Sequence, residues 1–233
     1  MTIRELKEKL LTEERHDLDS LAALLAILRS DEGCPWDREQ DHHSIRSELI
    51  EETYEVIEAI DTENTDLLRE ELGDVLFEVF FHVQLEQEKG TFTMDDVVQG
   101  VVDKMIYRHP HVFGDITVSG TGEVLDNWET LKTKEKSRLT LREQLEAVPK
   151  QYPALLRAKK IAKKAAKGGV DFGDETAQTA EIEELAKQIA AADGEARGNL
   201  LTELIWRAVI LAGPDADPEK DLGDRLNAYI AQF

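Results

Sequence analysis

The chain has little cysteine, few aromatic residues and no long apolar run. Its single cysteine, Cys34, cannot form an intramolecular disulfide, which indicates a reducing compartment. Aromatic residues make up only 6% of the 233 residues, so the core is expected to be largely aliphatic. No segment approaches the roughly 20 apolar residues that a membrane span needs, and the charged N-terminus lacks the apolar centre of a secretory signal. The sequence therefore predicts a soluble, cytoplasmic protein.

Positive charge is also scarce. Lys and Arg number 28 against 49 Asp and Glu, which gives a formal net charge of -21. This balance argues against non-specific binding to nucleic acids or anionic membranes, because both favour basic surfaces. A bound cation reverses the local field, however, so a metal-dependent site in this acidic chain could still accept phosphates.

Helical periodicity runs through the sequence, and no alternating strand pattern is present, which predicts an all-α fold. Two acidic helices are predicted at residues 44–60 and 66–89, joined by the polar turn DTENTD. The first is expected to bury an apolar stripe opposite its carboxylates. The second is expected to bury a stripe formed by Leu72, Val75, Leu76, Val79, Phe80 and Val83.

Carboxylates recur at helical spacing on both acidic helices. Glu52 and Glu55 stand three apart on the first helix, and Glu71 and Asp74 stand three apart on the second. Residues at this spacing share a helix face, so an antiparallel pairing would bring all four together. Four clustered carboxylates repel each other unless protons or cations neutralise them. The pair of helices is therefore predicted to hold a divalent cation.

The alternative is that these acids merely coat solvated helices. A solvated face normally interleaves Lys or Arg four residues away, whereas residues 47–68 contain neither. Gly73 inside the second helix costs roughly 1 kcal/mol relative to Ala, and close approach of another helix or a ligand is the usual compensation. These features favour a metal site. Ligation by oxygen alone suits Mg²⁺, with Mn²⁺ as the alternative ion, rather than zinc.

A basic pair follows on the next predicted helix, which Thr93 is placed to cap. Lys104 and Arg108 stand four apart on one face, where they could contact phosphate oxygens. A simple surface pair is an equally good interpretation of this spacing alone.

The chain is expected to divide into an N-terminal catalytic domain at residues 1–120, a linker at 121–152, and a second domain at 153–233. Its Lys-rich helix near residues 155–169 lacks interleaved aromatics, which favours a solvated or docking face over a nucleic-acid patch.

Several blocks together resemble one family. EETYE at residues 51–55 and ELGD at 71–74 resemble the EExxE…ExxD pattern of the all-α nucleoside triphosphate pyrophosphohydrolases. The blocks CPWD, FTMDDV, KMIYRHPHVF and NWETLK narrow this resemblance to the MazG family, over about residues 18–172.

The resemblance implies a MazG-like helical bundle with two similar domains. It also implies Mg²⁺-dependent hydrolysis of a nucleoside triphosphate to the monophosphate and pyrophosphate, by attack of metal-activated water on the α-phosphorus. In that reading Glu51 is a base or lies just outside the ligand set. The other matches are the metal ligands Glu52, Glu55, Glu71 and Asp74 and the phosphate-binding residues Lys104 and Arg108.

The second half departs from the family pattern. EELAK at residues 183–187 places Lys187 where the third Glu of the motif belongs, and Leu200 and Glu203 stand for the later ExxD. Tyr229 replaces the second basic residue. The C-terminal domain is therefore predicted to be degenerate, with a structural or dimerising role, and the chemistry is predicted to lie in the N-terminal domain.

Two other functions fit parts of the sequence. A non-catalytic nucleotide-sensing or regulatory protein could retain the fold, as the degenerate second half allows. A related enzyme acting on phosphoribosyl-ATP or dUTP is disfavoured by the CPWD and RHPHVF blocks. Apolar helix faces that need covering, together with the two-domain resemblance, predict a homodimer. Nucleoside triphosphates are the expected partners, and neither a membrane nor a nucleic acid is.

Overall fold

The computed structural model describes residues 1–135 and 140–233, and throughout these ranges the regular structure is helical. The predicted all-α fold is confirmed. The chain forms two compact units, Met1–Asp115 and Ile116–Phe233. No helix in the described ranges has the length and apolar character needed to cross a bilayer.

The first unit contains seven helices in its fully described range. They are α1 Ile3–Thr12, α2 Leu18–Leu28, α3 Pro35–Glu39, α4 Arg46–Asp61, α5 Thr65–Lys89, α6 Met94–Arg108 and α7 Pro110–Phe113. α4 begins two residues later than predicted because Asp41 accepts hydrogen bonds from the backbone N–H groups of His43 and Ser44, which holds those residues in a turn. Thr93 caps α6 as predicted, in a reciprocal capping box with Asp96.

The core of this unit lies at the C-terminal half of α5. Phe80, Phe81 and Leu85 of that half pack with Leu25 of α2 and with Ile45, which precedes α4. This cluster anchors one end of the α4–α5 pair. The carboxylate-bearing turns lie toward the other end.

The predicted apolar stripe of α5 is buried only in part. Phe80 and Val83 are buried, but Leu72 is 52% exposed and Leu76 and Val79 are also exposed. The expected stripe on α4 is likewise open, since Ile57 and Ile60 are exposed. Within this unit Glu71 and Glu78 of α5 are buried instead, although Asp74 between them is exposed.

The second unit contains the helices α8 Thr121–Glu135, α9 Leu141–Glu146, α10 Ala154–Lys167, α11 Glu175–Ala191, α12 Gly194–Ala212 and α13 Pro218–Ile230. The sequence predicts a Gly- and Thr-rich irregular segment, ITVSGTGE, at residues 116–123 and a mixed-charge helix, DNWETLKTKEKSR, at residues 126–138. α8 begins earlier, at Thr121, and the predicted end of the helix lies outside the described residues. Residues 121–152, which were predicted to form a linker, belong to this second unit. The basic helix α10 docks on α8, where Lys164 donates to Glu129 at 2.8 Å.

Candidate metal centre

The α4–α5 pair is a helical hairpin whose turn occupies only residues 62–64. So short a connection makes the two helices antiparallel neighbours. Asn64 caps α5 by accepting a hydrogen bond from the backbone N–H of Leu67. Glu63 adopts a positive φ of 52°, which closes the turn. The hairpin therefore sets the carboxylates of one helix against those of the other.

Three predicted carboxylates meet directly in this hairpin. Single oxygens of Glu52, Glu55 and Glu71 all lie within 4.8 Å of one another. Glu71 is only 6% exposed, Glu52 is half-buried and Glu55 is exposed. We call these three residues the carboxylate triad. The arrangement is open on one side and closed on the other, as a site shared with a ligand requires.

Asp74 and Glu51 lie outside the triad but within its electrostatic reach. Burial is the main cause that raises the pKa of Glu52, and repulsion from Glu55, Asp74 and Glu51 raises it further. All five predicted acidic residues therefore come together in space. The roles of individual ligands stay a prediction.

Repulsion between the carboxylates of the triad favours the binding of protons or cations. Burial raises the pKa of Glu71 to about 7, helped by a hydrogen bond that protonated Glu71 donates to Glu55 and by the charges of Glu55, Asp74 and Glu52. A positive ion would remove this repulsion. The coarse prediction of a carboxylate cluster suited to a metal is confirmed.

Sequence reasoning missed Glu78, which belongs to the same buried face. It is 7% exposed, and its Oε2 atom has no hydrogen-bond partner among the described residues. Burial raises its pKa to about 7, with further contributions from Glu48, Glu52 and Asp74. The signal was available in the sequence, because Glu78 lies four residues after Asp74 and seven after Glu71 on one helix face.

The hairpin of α11 and α12 in the second unit is built differently. Arg207 bonds to Glu181 at 2.8 Å and to Glu203 at 2.7 Å. Lys187 lies 3.6 Å from Glu184. The acids of this hairpin are thus neutralised by the chain's own cations, which supports its interpretation as a degenerate counterpart.

Comparison with known proteins identifies the first unit. A family model described as the MazG nucleotide pyrophosphohydrolase domain matches residues 40–113, the range that holds the triad, Asp74 and Glu78. A nucleoside triphosphate pyrophosphohydrolase/pyrophosphatase MazG from Thermotoga maritima is 39% identical over 220 residues, covering 92% of this chain and 83% of that protein. The chain belongs to the MazG family. The family predicted from the sequence is confirmed.

Other relatives match over about two thirds of the chain. The nucleoside triphosphate pyrophosphohydrolase of Escherichia coli is 44% identical over 158 residues, covering 67% of this chain and 60% of that protein. The uncharacterized protein YabN of Bacillus subtilis is 46% identical over 159 residues, covering 67% of this chain and 31% of that protein. The match thus covers less than two thirds of each of these two relatives.

The basic pair of the MazG domain lies on α6. Lys104 is half-buried, whereas Arg108 is 6% exposed. Their assignment to a triphosphate stays a prediction.

Gly73 was expected to be approached closely by another helix or by a ligand. A Cβ added there would meet no described atom within 4 Å, which contradicts the first of these two alternatives. No neighbouring helix of the described chain explains this glycine.

The position of His42 in a polar run of the sequence predicts a solvated or helix-capping side chain, but in the structure this side chain makes specific contacts with α5. Its Nδ1 lies 2.8 Å from Nδ1 of His82, and its Nε2 lies 2.6 Å from Glu86. Glu86 also accepts from Lys89 and Thr91, and these hydrogen bonds, with that of His42, lower its pKa to about 2. His42 thereby ties the segment before α4 to the far half of α5.

The raised pKa values make the stability of the metal-free MazG domain depend on pH. Glu71 and Glu78 have pKa values of about 7 in the folded chain, whereas the ordinary pKa of a glutamate side chain is 4.5. The folded state therefore keeps protons that the unfolded state releases. Their contribution to stability is fully present below about 4.5 and is lost as the pH rises through about 7. The acids facing them are Glu48, Glu52, Glu55 and Asp74.

Thermal unfolding in EDTA between pH 5 and pH 8 measures this effect. The double variant Glu71→Gln/Glu78→Gln should lose much less stability over this range than the wild type. His82 acts in the opposite sense, because burial lowers its pKa, and the comparison with the double variant cancels its contribution. Equal pH profiles for the two proteins would contradict the prediction.

Proposed function

We propose that this chain hydrolyses nucleoside triphosphates to the monophosphate and pyrophosphate, with Mg²⁺ held at the α4–α5 hairpin. One observation carries the proposal: oxygens of Glu52, Glu55 and Glu71 lie within 4.8 Å of one another, inside the range matched by the MazG model. The relatives named as nucleoside triphosphate pyrophosphohydrolases support the same reaction.

The donor set fits Mg²⁺, with Mn²⁺ as the alternative ion. Only carboxylate oxygens converge in the triad, and hard divalent cations prefer oxygen ligands, whereas zinc sites favour His and Cys. Mg²⁺ held by a few carboxylates keeps positions for water and for substrate phosphates. The exposure of Glu55 leaves the open side that such sharing needs.

The acidic residues have two different parts in the proposed reaction. Glu52, Glu55, Glu71 and Asp74 hold the cation, which when bound lowers the pKa of water and neutralises phosphate charge. Glu51 is exposed beside Glu52 and is the candidate to take a proton from the water that attacks the α-phosphorus. The buried side of the triad fixes its geometry, because Glu71 cannot swing into solvent.

We place the activity in the first unit, corresponding to the predicted catalytic domain. Among the described residues, the α11–α12 hairpin of the second unit also resembles the motif. There Arg207 pairs with Glu181 and Glu203, and Lys187 lies beside Glu184. A hairpin neutralised in this way has little charge left for a divalent ion. The second unit is therefore assigned a structural or dimerising role.

A panel of canonical, deoxy and damaged nucleoside triphosphates tests the function. Incubation with Mg²⁺ should release pyrophosphate and the corresponding monophosphate in equal amounts from at least one member. Release of orthophosphate and a diphosphate would contradict the proposal. Nucleotide binding without turnover across the whole panel would also overturn it, and would favour a sensing or regulatory role.

The basic pair is proposed to contact the triphosphate. Lys104→Ala should raise the KM for the nucleotide by about 10-fold to 100-fold, since a charged hydrogen bond contributes about 1.5–3 kcal/mol. The affinity of the triad for Mn²⁺ should not change. Lys134→Ala, an exposed lysine of α8, is the control. An unchanged KM in the Lys104 variant would remove this residue from the substrate site.

We also propose that the chain is a homodimer. Apolar side chains stand exposed at helical spacing on both helices of the hairpin: Ile50, Tyr54 and Ile57 on α4, and Leu72, Leu76 and Val79 on α5. Contiguous exposed apolar surface of this kind marks an interaction site. A second copy of the same hairpin would cover it.

Sedimentation equilibrium checks the dimer. The wild type should sediment at twice the chain mass, and Ile57→Asp/Leu72→Asp should sediment as a monomer because charges would enter the interface. Leu11→Asp is the matched control, since Leu11 is 86% exposed on α1, outside these stripes. A monomeric wild type at micromolar concentration would contradict the proposal.

The single cysteine bears on the cell compartment. Cys34 is a free thiol in a half-buried position, which suits a reducing environment. We propose that the chain works in the cytoplasm. Detection of the native protein in a periplasmic or secreted fraction would contradict this.

A further inference from the structure

We propose that the second unit binds a nucleoside monophosphate in a cavity between α10, α12 and the turn that precedes α10. The cavity has a volume of about 420 Å³, within the range of roughly 300–1,000 Å³ that is typical of small-molecule sites. The inference goes beyond the proposed function, because it assigns a ligand to the unit whose acidic hairpin is degenerate. Its evidence and its test concern binding alone and do not depend on turnover.

The first observation is the state of Arg157, a residue of α10 that lines the cavity. Its Nε atom is buried and has no hydrogen-bond partner among the described residues. A buried charged donor without an acceptor is costly. A phosphate group suits such a guanidinium, because its oxygens accept two parallel N–H hydrogen bonds from one arginine. What is missing around Arg157 is an anion.

The second observation is the charge of the lining. Lys150, an exposed residue of the turn before α10, adds a second positive charge, and none of the described lining residues is acidic. Glu219 of α13 lies near the start of α10, but its carboxylate accepts a hydrogen bond from the backbone N–H of Leu156 at 3.1 Å. A phosphate monoester carries a charge of about −1.5 to −2 at pH 7. The two cations therefore match a monophosphate, whereas a triphosphate would exceed them.

The third observation is a pair of aromatic rings in the same lining, those of Tyr152 and Trp206. Both rings are held in place. The ammonium group of Lys160 lies 5.7 Å from the ring centroid of Tyr152. Phe172 packs edge to face against Trp206, with the ring centroids 6.3 Å apart and an interplanar angle of 80°. Fixed aromatic rings provide flat surfaces on which a nucleobase stacks.

The cations and the rings together select the ligand class. A guanidinium and an ammonium group recognise a phosphate, and the two rings recognise a planar heterocycle. A nucleoside monophosphate carries both parts in one molecule of suitable size. Inorganic phosphate and a nucleoside each carry only one of them.

Isothermal titration calorimetry of the full-length protein tests the inference, with AMP, GMP, CMP and UMP as the probes. The titrations are carried out in EDTA, so that the carboxylate triad holds no cation. At least one nucleotide should bind with one site per chain. Inorganic phosphate and the matching nucleoside should each bind at least about 10-fold more weakly, because each lacks one of the two groups that the cavity recognises.

Variants of the two cations locate the site. Arg157→Gln should weaken binding by about 10-fold to 100-fold, the effect of losing a charged hydrogen bond. Lys150→Gln should weaken it in the same direction, and this exposed position keeps the test decisive if Arg157→Gln does not fold. Arg142→Gln is the matched control, because Arg142 is an exposed arginine of α9 whose partner is Glu146. It should bind as tightly as the wild type.

Several results would overturn the inference. One is a wild type that binds none of the four nucleotides, and another is an unchanged affinity in a folded Arg157 or Lys150 variant. Inorganic phosphate that binds as tightly as the nucleotide would show an anion site only, and a nucleoside that does so would show that the cations take no part. Turnover is not read out, so a protein that binds the nucleotide without hydrolysing any triphosphate would refute the proposed function and leave this site standing.

Discussion

Glu71→Gln should lower the rate of pyrophosphate release by at least about 100-fold, because the buried member of the carboxylate triad loses its charge. A metal ion contributes several kcal/mol to stabilising phosphoryl charge in a transition state, and each 1.36 kcal/mol is a factor of ten in rate. An amide of the same shape fills the same space but attracts the cation far less. The rate is measured as pyrophosphate release at saturating nucleotide and fixed Mg²⁺.

The fold should survive this substitution. Glu71 is repelled by Glu52, Glu55 and Asp74 in the metal-free chain, so removing its charge should raise the melting temperature in EDTA. Glu70→Gln on the exposed side of the same helix controls for the loss of one acid. Turnover at the wild-type level in the Glu71 variant would show that the triad is not the metal site.

Removal of divalent ions should abolish turnover completely. Four carboxylates in one hairpin would otherwise repel an incoming triphosphate, because the neighbouring charges that shift the pKa values of Glu52 and Glu71 are all those of acids. Addition of Mg²⁺ or Mn²⁺ in excess over EDTA should restore the original rate. The melting temperature at pH 8 should rise with the same ions, since they replace protons that Glu71 and Glu78 would otherwise need.

Two results with EDTA and Mg²⁺ would contradict the proposed metal dependence. Turnover that persists in EDTA after extensive dialysis would exclude a role for the cluster as a cation site in the reaction. A rate restored by Mg²⁺ in the wild type but also in Glu71→Gln would point to ions carried by the nucleotide alone.

The hairpin could be predicted from the sequence because two short-range signals agree there. Apolar residues repeat with a helical period on both sides of a polar turn, and the acids repeat at i, i+3 on the same helices. The predicted second acidic helix, residues 66–89, differs from α5 by one residue at its start. Helical periodicity and the spacing of the acids were therefore sufficient to predict this hairpin.

The orientation of α5 could not be predicted in the same way. Its first half carries two stripes, one through Leu72, Leu76 and Val79 and one through Glu71, Asp74 and Glu78, and burial rules assign the apolar stripe to the core. Within the unit Glu71 and Glu78 of the acidic stripe are buried, whereas Asp74 between them is exposed. A functional site overrides the ordinary preference, and the exposed apolar stripe is left for a partner surface.

Side-chain contacts between residues far apart in the sequence could not be predicted either. His42 meets His82 and Glu86 across 40 and 44 positions, and no local pattern encodes such a contact. The same holds for Arg207, which lies outside every motif position yet neutralises Glu181 and Glu203. Motif comparison predicted a degenerate second hairpin from Lys187 and Leu200, and the structure adds how its acids are balanced.

The central claim is that water attacks the α-phosphorus of a nucleoside triphosphate at the hairpin of the first unit. Hydrolysis in ¹⁸O-labelled water tests this most directly, with the products analysed by mass spectrometry. The account predicts one labelled oxygen in the nucleoside monophosphate and none in the pyrophosphate. Label in the pyrophosphate would place the attack on the β-phosphorus and would contradict the claim, as would the absence of any labelled product.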